Sequence, residues 1–325
     1  GRAVERLPGL LIPEGFTPDV ETARRIIQIA ITAGRYRLNA YETSQILNAY
    51  EIPVAPLHFA ATPEAATDLV LTMGGPVALK ILSPDIVHKS DVGGVAFNLK
   101  NPLEVLMAAT DMLKRVQELA PDAVIDGFAV QAMQSRHGAY ELMIGVRTGR
   151  RFGPVIFFGH GGTESEVIDD IAFALPPLNM HLARDMMSRT RLYARLATNR
   201  GRPVDLDAVA LTLIKVSQMV IDLAEIVEMD LNPLWTDASG VLTLDANILI
   251  EPSTEPAAKR LAISPYPKQL ERIYDFPDGR SFLIRPILPE DEPELKDLVK
   301  RMPAEDVRMR FFQPIRELPH EMAAR

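Results

Sequence analysis

Residues 227–248, "VEMDLNPLWTDASGVLTLDANI", read as two strands around a tight turn. If "DASG" (237–240) makes the turn, Thr236 pairs with Val241, and counting back along both antiparallel strands sets Asn232 opposite Asp245. Alternation then places Glu228, Asp230, Asn232, Asp245 and Asn247 on one face, with Met229, Leu231, Leu244 and Ala246 on the other. Neither strand carries a cation. A face so rich in carboxylate and amide oxygen suits a hard cation such as Mg2+, which takes one or two protein oxygens and fills its shell with phosphates and water. A solvated edge hairpin has the same alternation. The in-register pair and Pro233 beside Asn232 favour the metal, whereas a slip of one residue would send the pair to opposite faces.

A second concentration of chemistry lies upstream. The apolar strand "GGPVALKIL" (74–82) carries one cation, Lys80, which needs a standing anionic partner if the strand faces an interior. That makes Lys80 a candidate phosphate ligand; the alternative is a strand-end lysine reaching solvent. The loop "SPDIVHKSDVGG" (83–94) follows, and its Gly93 and Gly94 mark a close backbone approach whose amides could cradle a phosphate. His88 in this loop can act as a neutral nucleophile near pH 7, so a phosphohistidine is chemically sensible. A surface histidine hydrogen-bonded to Asp85 or Asp91 is the other reading. His58, His137, His160, His181 and His320 show no metal-site spacing.

A chain of 325 residues is long enough for about two domains. Its net charge of -8 speaks against a nucleic-acid partner, because phosphate-backbone binding needs clustered Lys and Arg. The absence of cysteine excludes disulfides, thiolate zinc and a Cys nucleophile, and fits a reducing cytosol. The apolar runs fall well short of the ~20 residues of a membrane span, so the sequence reads as a soluble cytoplasmic protein. Opening on Gly1 and closing on "PHEMAAR", it reads as a segment of something longer.

Periodicity predicts a helix after Asp19 that stops near Gly34, read as a lead-in from an upstream domain, and then alternating strands and helices. "YELMIGV" and "PVIFFG" form a hairpin through "RTGRR", and residues 179–225 are helical apart from "TNRGRP". The Pro-rich stretch "EPSTEPAAKRLAISPYP" reads as a linker. Beyond it, "RSFLIRPILPEDEPELKDLVKRM" gives strand, Pro turn and helix, and "EDVRMRFF" begins another helix.

Together, "GGPVALKIL", "SPDIVHKSDVGGV", "FAVQAM", "RRFGPVIFFGHGGTESEV", "EMDLNPL" and "LDANI" resemble the ATP-grasp portion of ADP-forming acetyl-CoA (acyl-CoA) synthetases, relatives of succinyl-CoA synthetase. The resemblance implies an α/β (α+β) class and an ATP-grasp fold of two α/β subdomains over residues 38–250. It also implies a reaction in which carboxylate, ATP and CoA give acyl-CoA, ADP and phosphate through a phosphohistidine. By position it implies that Lys80, Gly93 and Gly94 meet the ATP phosphates, that Val130, Gln131 and Met133 receive adenine, and that Glu141 follows the hinge. It further implies Mg2+ on Asn232 and Asp245, a mobile, phosphorylatable His88, and Asp230 near the travelling phosphohistidine. "RTGRRFGP" departs from the family in having Thr148 and Gly149 where an acidic residue and a proline are common.

The CoA-binding domain and the primary phosphohistidine are expected upstream or on a partner chain. The tail resembles the opening of a GNAT N-acetyltransferase domain, as fused behind this synthetase in bacterial protein lysine acetyltransferases, which would make protein lysines substrates of the full-length protein. The expected layout is residues 1–37 as lead-in, 38–250 as ATP-grasp, 251–279 as linker and 280–325 as a truncated GNAT start. The alternative function is a catalytically silent ligand-sensing or scaffolding domain of such an acetyltransferase.

Overall fold

The computed structural model describes residues 15–86, 89, 91–134, 136, 138–149, 151–162, 170–198, 203–254, 257–263, 270–276, 279–287, 291–311 and 318. Helix α1 (Val20–Thr32) starts on Asp19, whose side chain accepts the Thr22 N–H, and it buries Ala23, Ile26, Ile27 and Ala30 along one stripe. A capping box of Asn39 and Glu42 opens α2 (Ala40–Ala49). Between these helices the chain joins a sheet edge: Leu38 N–H donates to the Ile248 carbonyl at 3.1 Å, and Ile250 N–H to that of Tyr36 at 2.8 Å. The helix expected as a lead-in belongs to the compact unit Pro13–Ser264, where the apolar stripe of α1 is buried.

Within that unit a small antiparallel sheet has the order β1-β4-β2-β3, from β1 (Leu57–Ala60), β2 (Val77–Leu82), β3 (Val95–Leu99) and β4 (Gly127–Ala132). Helices α3 (Pro63–Met73) and α4 (Pro102–Leu119) begin at the side-chain caps Thr62 and Asn101. Leu79, Ile81, Phe128 and Val130 share a core with Val70, Val105, Met112 and Val116 from these helices. Strand alternation turns Ala78, Lys80 and Gln131 to the opposite face.

The larger sheet contains β5 (Tyr140–Gly149), β6 (Gly153–His160), β7 (Ile171–Ala174), β8 (Ile226–Asp237), β9 (Gly240–Thr243) and β10 (Ala246–Ile250). Its order is β10-β8-β5-β6-β7, with β9 also paired to β8. Ile144, Val146, Ile156, Phe158, Met229, Leu231 and Ile248 are buried, as is most of α7 (Leu206–Asp222), which packs on α5 (Met180–Ser188). The short α6 (Arg191–Ala197) lies between those two helices in the chain. The predicted hairpin register is present: Thr236 pairs with Val241, and Asn232 N–H donates to the Asp245 carbonyl at 3.1 Å. Against β5 the pairing moves by one residue between Leu142/Leu234 and Ile144/Leu231, so β8 bulges at Asn232 and Pro233. The bulge shifts which residues point to the buried face, from the odd-numbered Met229 and Leu231 to the even-numbered Leu234 and Thr236.

The stretch after β10 is not an irregular linker throughout. A 3-10 turn, Ala257–Arg260, aims Arg260 at the end of α7. Its guanidinium donates to the carbonyls of Val220, Leu223 and Ile226 at 2.7–2.8 Å. In the second unit, which includes Pro265–Arg325, β11 (Arg272–Asp275) pairs with β12 (Ser281–Ile284), although β11 falls inside the expected linker. Edge-to-face rings, Tyr274 on Phe276 and Phe276 on Phe282, hold this hairpin. Helices α8 (Glu292–Arg301) and α9 (Ala304–Phe311) follow as predicted, with Val299, Val307 and Leu318 packed together.

Replacing Arg260 by Ala leaves three helix-end and strand carbonyls without their donor. Urea unfolding should show a loss of about 3 kcal/mol for Arg260→Ala, and an unchanged midpoint would remove Arg260 from the account of this clasp.

Candidate functional site

A cleft of about 500 Å3 separates the inner faces of the two sheets. Ala78, Lys80, Val95 and Phe97 line one wall, Pro233, Trp235, Leu244, Asp245 and Asn247 the other, and Ala132, Met133 and Gln134 close it at the exit of β4. Its lining combines apolar groups (Ala78, Val95, Phe97, Ala132, Met133, Pro233, Trp235 and Leu244) with the charged Lys80, Lys89, Asp91 and Asp245.

Lys80 Nζ stands 3.5 Å from Asp245 Oδ1, with the lysine side chain 12 % and the aspartate 44 % exposed. The predicted anionic partner of Lys80 is thus the very carboxylate that the hairpin register offers to a metal. Neighbouring Asn232 uses its Oδ1 to accept the Gly162 N–H at 2.8 Å. Gly162 has a φ of +75°, and a Cβ there would fall 1.9 Å from Glu141 Oε2, so only glycine lets this amide approach. Glu141 itself accepts from Trp235 Nε1 at 3.3 Å and pairs across the strands with Trp235. It therefore stands on the hairpin side of the site, near Asn232, and is not among the cleft-lining residues.

Asp230 pairs with Gly145 on one side and Asn247 on the other. Its Oδ1 is buried with no hydrogen-bond partner. Burial, with the charges of Glu228 and Asp245 adding and that of Arg147 opposing, pushes its carboxyl up to about 6. Arg147 meanwhile holds Glu228 at 2.9 Å.

This donor set fits Mg2+. Asn232 Oδ1 has a second lone pair, Asp245 is half-exposed beside its lysine, and Asp230 carries an orphaned oxygen. Among the described residues no group of three or more His, Cys, Asp or Glu could hold a metal, so the ion would need oxygens from its ligand as well.

Other expected residues divide. Met133 lines the cleft, and its N–H donates to the Pro76 carbonyl at 2.9 Å. Gln131 also lines it, with Nε2 donating to the Ala55 carbonyl at 3.3 Å. The side chain of Val130 instead lies in the small-sheet core, because alternation puts it opposite Gln131, and its backbone stands between His58 of β1 and Leu79 of β2. Gly93 has the left-handed φ of +65°. Gly94 does not offer its amide to a phosphate: that N–H donates to the Lys89 carbonyl at 2.6 Å, and its own carbonyl accepts from Ile81 at 2.8 Å. His88 lies outside the described residues. Lys89 and Trp235 line the cleft without having been singled out, since a loop position has no periodicity to reveal where it points and the β8 bulge shifts Trp235 out of simple alternation.

A family model described as an ATP-grasp domain matches residues 29–250. The chain belongs to the ATP-grasp family. The ADP-forming acetate–CoA ligase II subunit beta of Pyrococcus furiosus is 35 % identical over 233 residues, which are 70 % of this chain and 98 % of that one. The ADP-forming acetate–CoA ligase I of Archaeoglobus fulgidus is 39 % identical over 232 residues, 71 % of this chain but 33 % of that one. The ATP-grasp chain thus spans about a third of the latter relative. Among solved structures, a chain of the Ca. Korarchaeum cryptofilum dinucleotide forming acetyl-coenzyme A synthetase 1 aligns with a TM-score of 0.61 and 33 % identity, covering 70 % of this chain and 100 % of that chain. That structure contains coenzyme A and Mg-AMPPCP, with its phosphohistidine segment pointing towards the nucleotide binding site. The resemblance to the β-subunit part of ADP-forming acetyl-CoA synthetases is therefore established. Among the described residues, no helix is long and apolar enough to cross a membrane.

The ATP-grasp chain should carry a pH signature at Asp230. The folded carboxyl keeps its proton to about pH 6 while the unfolded one releases it near the ordinary 3.8, so folded protein loses stability as pH rises through that window. In EDTA, Asp230→Asn should be more stable than wild type at pH 7.5 by about 2 kcal/mol, with the advantage gone below pH 4. Parallel stability curves for the two proteins would contradict the assignment.

Proposed function

We propose that this chain is the nucleotide-binding part of an ADP-forming acyl-CoA synthetase, in which carboxylate, ATP and CoA give acyl-CoA, ADP and phosphate. The observation that supports the reading is the Lys80–Asp245 pair across the cleft, an ammonium and a carboxylate 3.5 Å apart, the groups that a magnesium–nucleotide complex requires. Adenine would enter between the apolar walls, against Met133, Gln131 and the backbone at Val130. Lys80 would turn from Asp245 to the nucleotide phosphates, and Asn232 and Asp245 would hold Mg2+, with Gly93 shaping the loop beside them. Bound Mg2+ supplies charge neutralisation on the β- and γ-phosphates. The terminal phosphoryl group passes from ATP to a histidine nitrogen and leaves ADP, with His88 as an acceptor on this chain. Asp230, its carboxyl pushed up to about 6, would orient the acceptor imidazole as a carboxylate, and Glu141 would fix the Asn232 side of the site.

CoA binding and the primary phosphohistidine would come from other domains of the same parent protein or from a partner subunit, as the subunit name of the Pyrococcus furiosus relative suggests. Positioning and charge neutralisation are the chemistry asked of this chain.

Calorimetry should detect Mg-ADP binding that is lost in EDTA, and Lys80→Met or Asp245→Asn should each weaken it about tenfold or more. Incubation with ATP and Mg2+ should place acid-labile phosphate on wild type and not on His88→Ala. Absence of nucleotide binding by wild type would overturn the reading, and equal labelling of both proteins would remove His88 from it.

We further infer that residues 280–325 open a GNAT-type acetyltransferase domain. The family match stops at residue 250, so the support is the order of strand Ser281–Ile284, Pro286 and helices α8 and α9. Acetyl transfer from acetyl-CoA to protein lysines by the full-length protein tests this, and its absence would retire the inference.

A further inference from the structure

Behind the cleft lies a second, smaller cavity of about 20 Å3. Lys80, Gln131, Leu244 and Asp245 line both, so the ion pair stands between the two spaces. The small cavity also takes its wall from α2, through Thr43 and Ser44, and from Val54 and Ala55.

Thr43 departs from the habit of its neighbours. Helical threonines in this chain bond back to their own helix: Thr67, Thr110 and Thr212 donate to the carbonyls of Pro63, Leu106 and Ala208, four residues earlier, at 2.8–2.9 Å. The Thr43 hydroxyl makes no such bond. Thr43 is 1 % exposed, and its Oγ1 is buried with no hydrogen-bond partner among the described residues. A hydroxyl buried alone costs stability, so one that lines a cavity calls for a partner inside it.

The ion pair is also loosely served. Its separation of 3.5 Å exceeds the ~2.7–2.9 Å of a charge-assisted hydrogen bond, and the ammonium has further N–H groups to place. Gln131 cannot relieve it as a donor, because its Nε2 is given to the Ala55 carbonyl at 3.3 Å. A cavity of about 20 Å3 admits one water, which needs roughly 10–15 Å3 and two to four polar partners. A cation in this space would be repelled by Lys80, and an anion by Asp245. Water is neutral, accepts from the ammonium, donates to the carboxylate and pairs with a hydroxyl in either sense.

We propose that the small cavity is a built site for a single water, anchored by the Thr43 hydroxyl and bracing the Lys80–Asp245 pair from behind. Thr43 is then a positioning residue, which acts on the cleft through Lys80 and Asp245 without touching what the cleft binds. Its effect on ligand affinity rests on the nucleotide reading of the cleft, whereas the water itself does not.

A high-resolution crystal structure should show one water within hydrogen-bond reach of Thr43 Oγ1, and that water should be gone from Thr43→Val, in which a methyl group replaces the hydroxyl. Thr43→Val should also melt about 2–4 °C lower, since removing an anchored hydroxyl loses a bond while removing an orphaned one relieves a cost. Calorimetry of Mg-ADP should read a three- to tenfold weakening, roughly one hydrogen bond, with Thr43→Ser restoring wild-type affinity. In a Lys80→Met background the same Thr43→Val change should fall within about twofold, where a merely structural loss would persist in full. A dry cavity, a metal ion in its place, or a melting temperature for Thr43→Val that stays or rises overturns the water. Equal Mg-ADP weakening by Thr43→Val with and without Lys80, or none, overturns the positioning role. Wild type that binds no Mg-ADP removes the nucleotide reading instead, and the water then stands or falls by density and melting temperature.

Discussion

A lysine placed in the middle of an apolar strand constrains everything around it. Lys80 sits between the fully buried Leu79 and Ile81, and its ammonium can remain charged in that setting only with an anion at hand. The small sheet has no such group on this face, so the partner comes from the hairpin of the other sheet, where Asp245 lies 3.5 Å away. The pair's attraction amounts to a few kcal/mol at most once desolvation is subtracted, and the half-exposed aspartate reduces it further. Its importance is geometric. It ties the strand that bears Lys80 to the hairpin that bears Asp245, so neither charge can be withdrawn without finding the other a new partner. A metal alone would strand Lys80, and a phosphate alone would strand Asp245. A metal–nucleotide complex satisfies both at once, which couples the two ligands through a single interaction.

The hairpin meets this constraint by being irregular. With strict alternation from Glu228 to Asp237, Asn232 would share a face with Leu234, and Trp235 would be turned to the helices. The bulge at Asn232 and Pro233 instead buries Leu234 and brings Trp235 to the cleft, where its indole N–H reaches Glu141. Glu141 in turn stands against Gly162, whose amide fixes the Asn232 carboxamide. One extra residue in a strand therefore orients the Asn232 carboxamide, an apolar wall and the carboxylate behind them.

Much of this was legible in the chain itself. The hairpin register followed from turn chemistry and a period of two, and the apolar neighbours of Lys80 announced that it needed an anion. What could not be read was where non-periodic segments go. "SPDIVHKSDVGG" has no repeat to fix the direction of Lys89, and β11 lies in a stretch whose prolines suggested a linker while its ordering comes from rings at Tyr274, Phe276 and Phe282. At Val130 the limit is a simpler one. A motif identifies a strand that receives a ligand, but alternation decides which of two adjacent residues faces it, and here Gln131 does.

The glycines show why motif and mechanism need not coincide. A glycine pair after a strand suggests free amides for an anion, and at Gly93 the left-handed backbone keeps that reading open. At Gly94 the missing Cβ serves the opposite end, because the amide is consumed internally and the space admits the neighbouring lysine's backbone. Gly162 follows the same rule, yielding its volume to the Glu141 carboxylate and its N–H to Asn232. In both places small size converts into the position of a charged or polar side chain some residues away. The proposed ligand groups are lysine, asparagine and aspartate, and the glycines determine where those groups can stand.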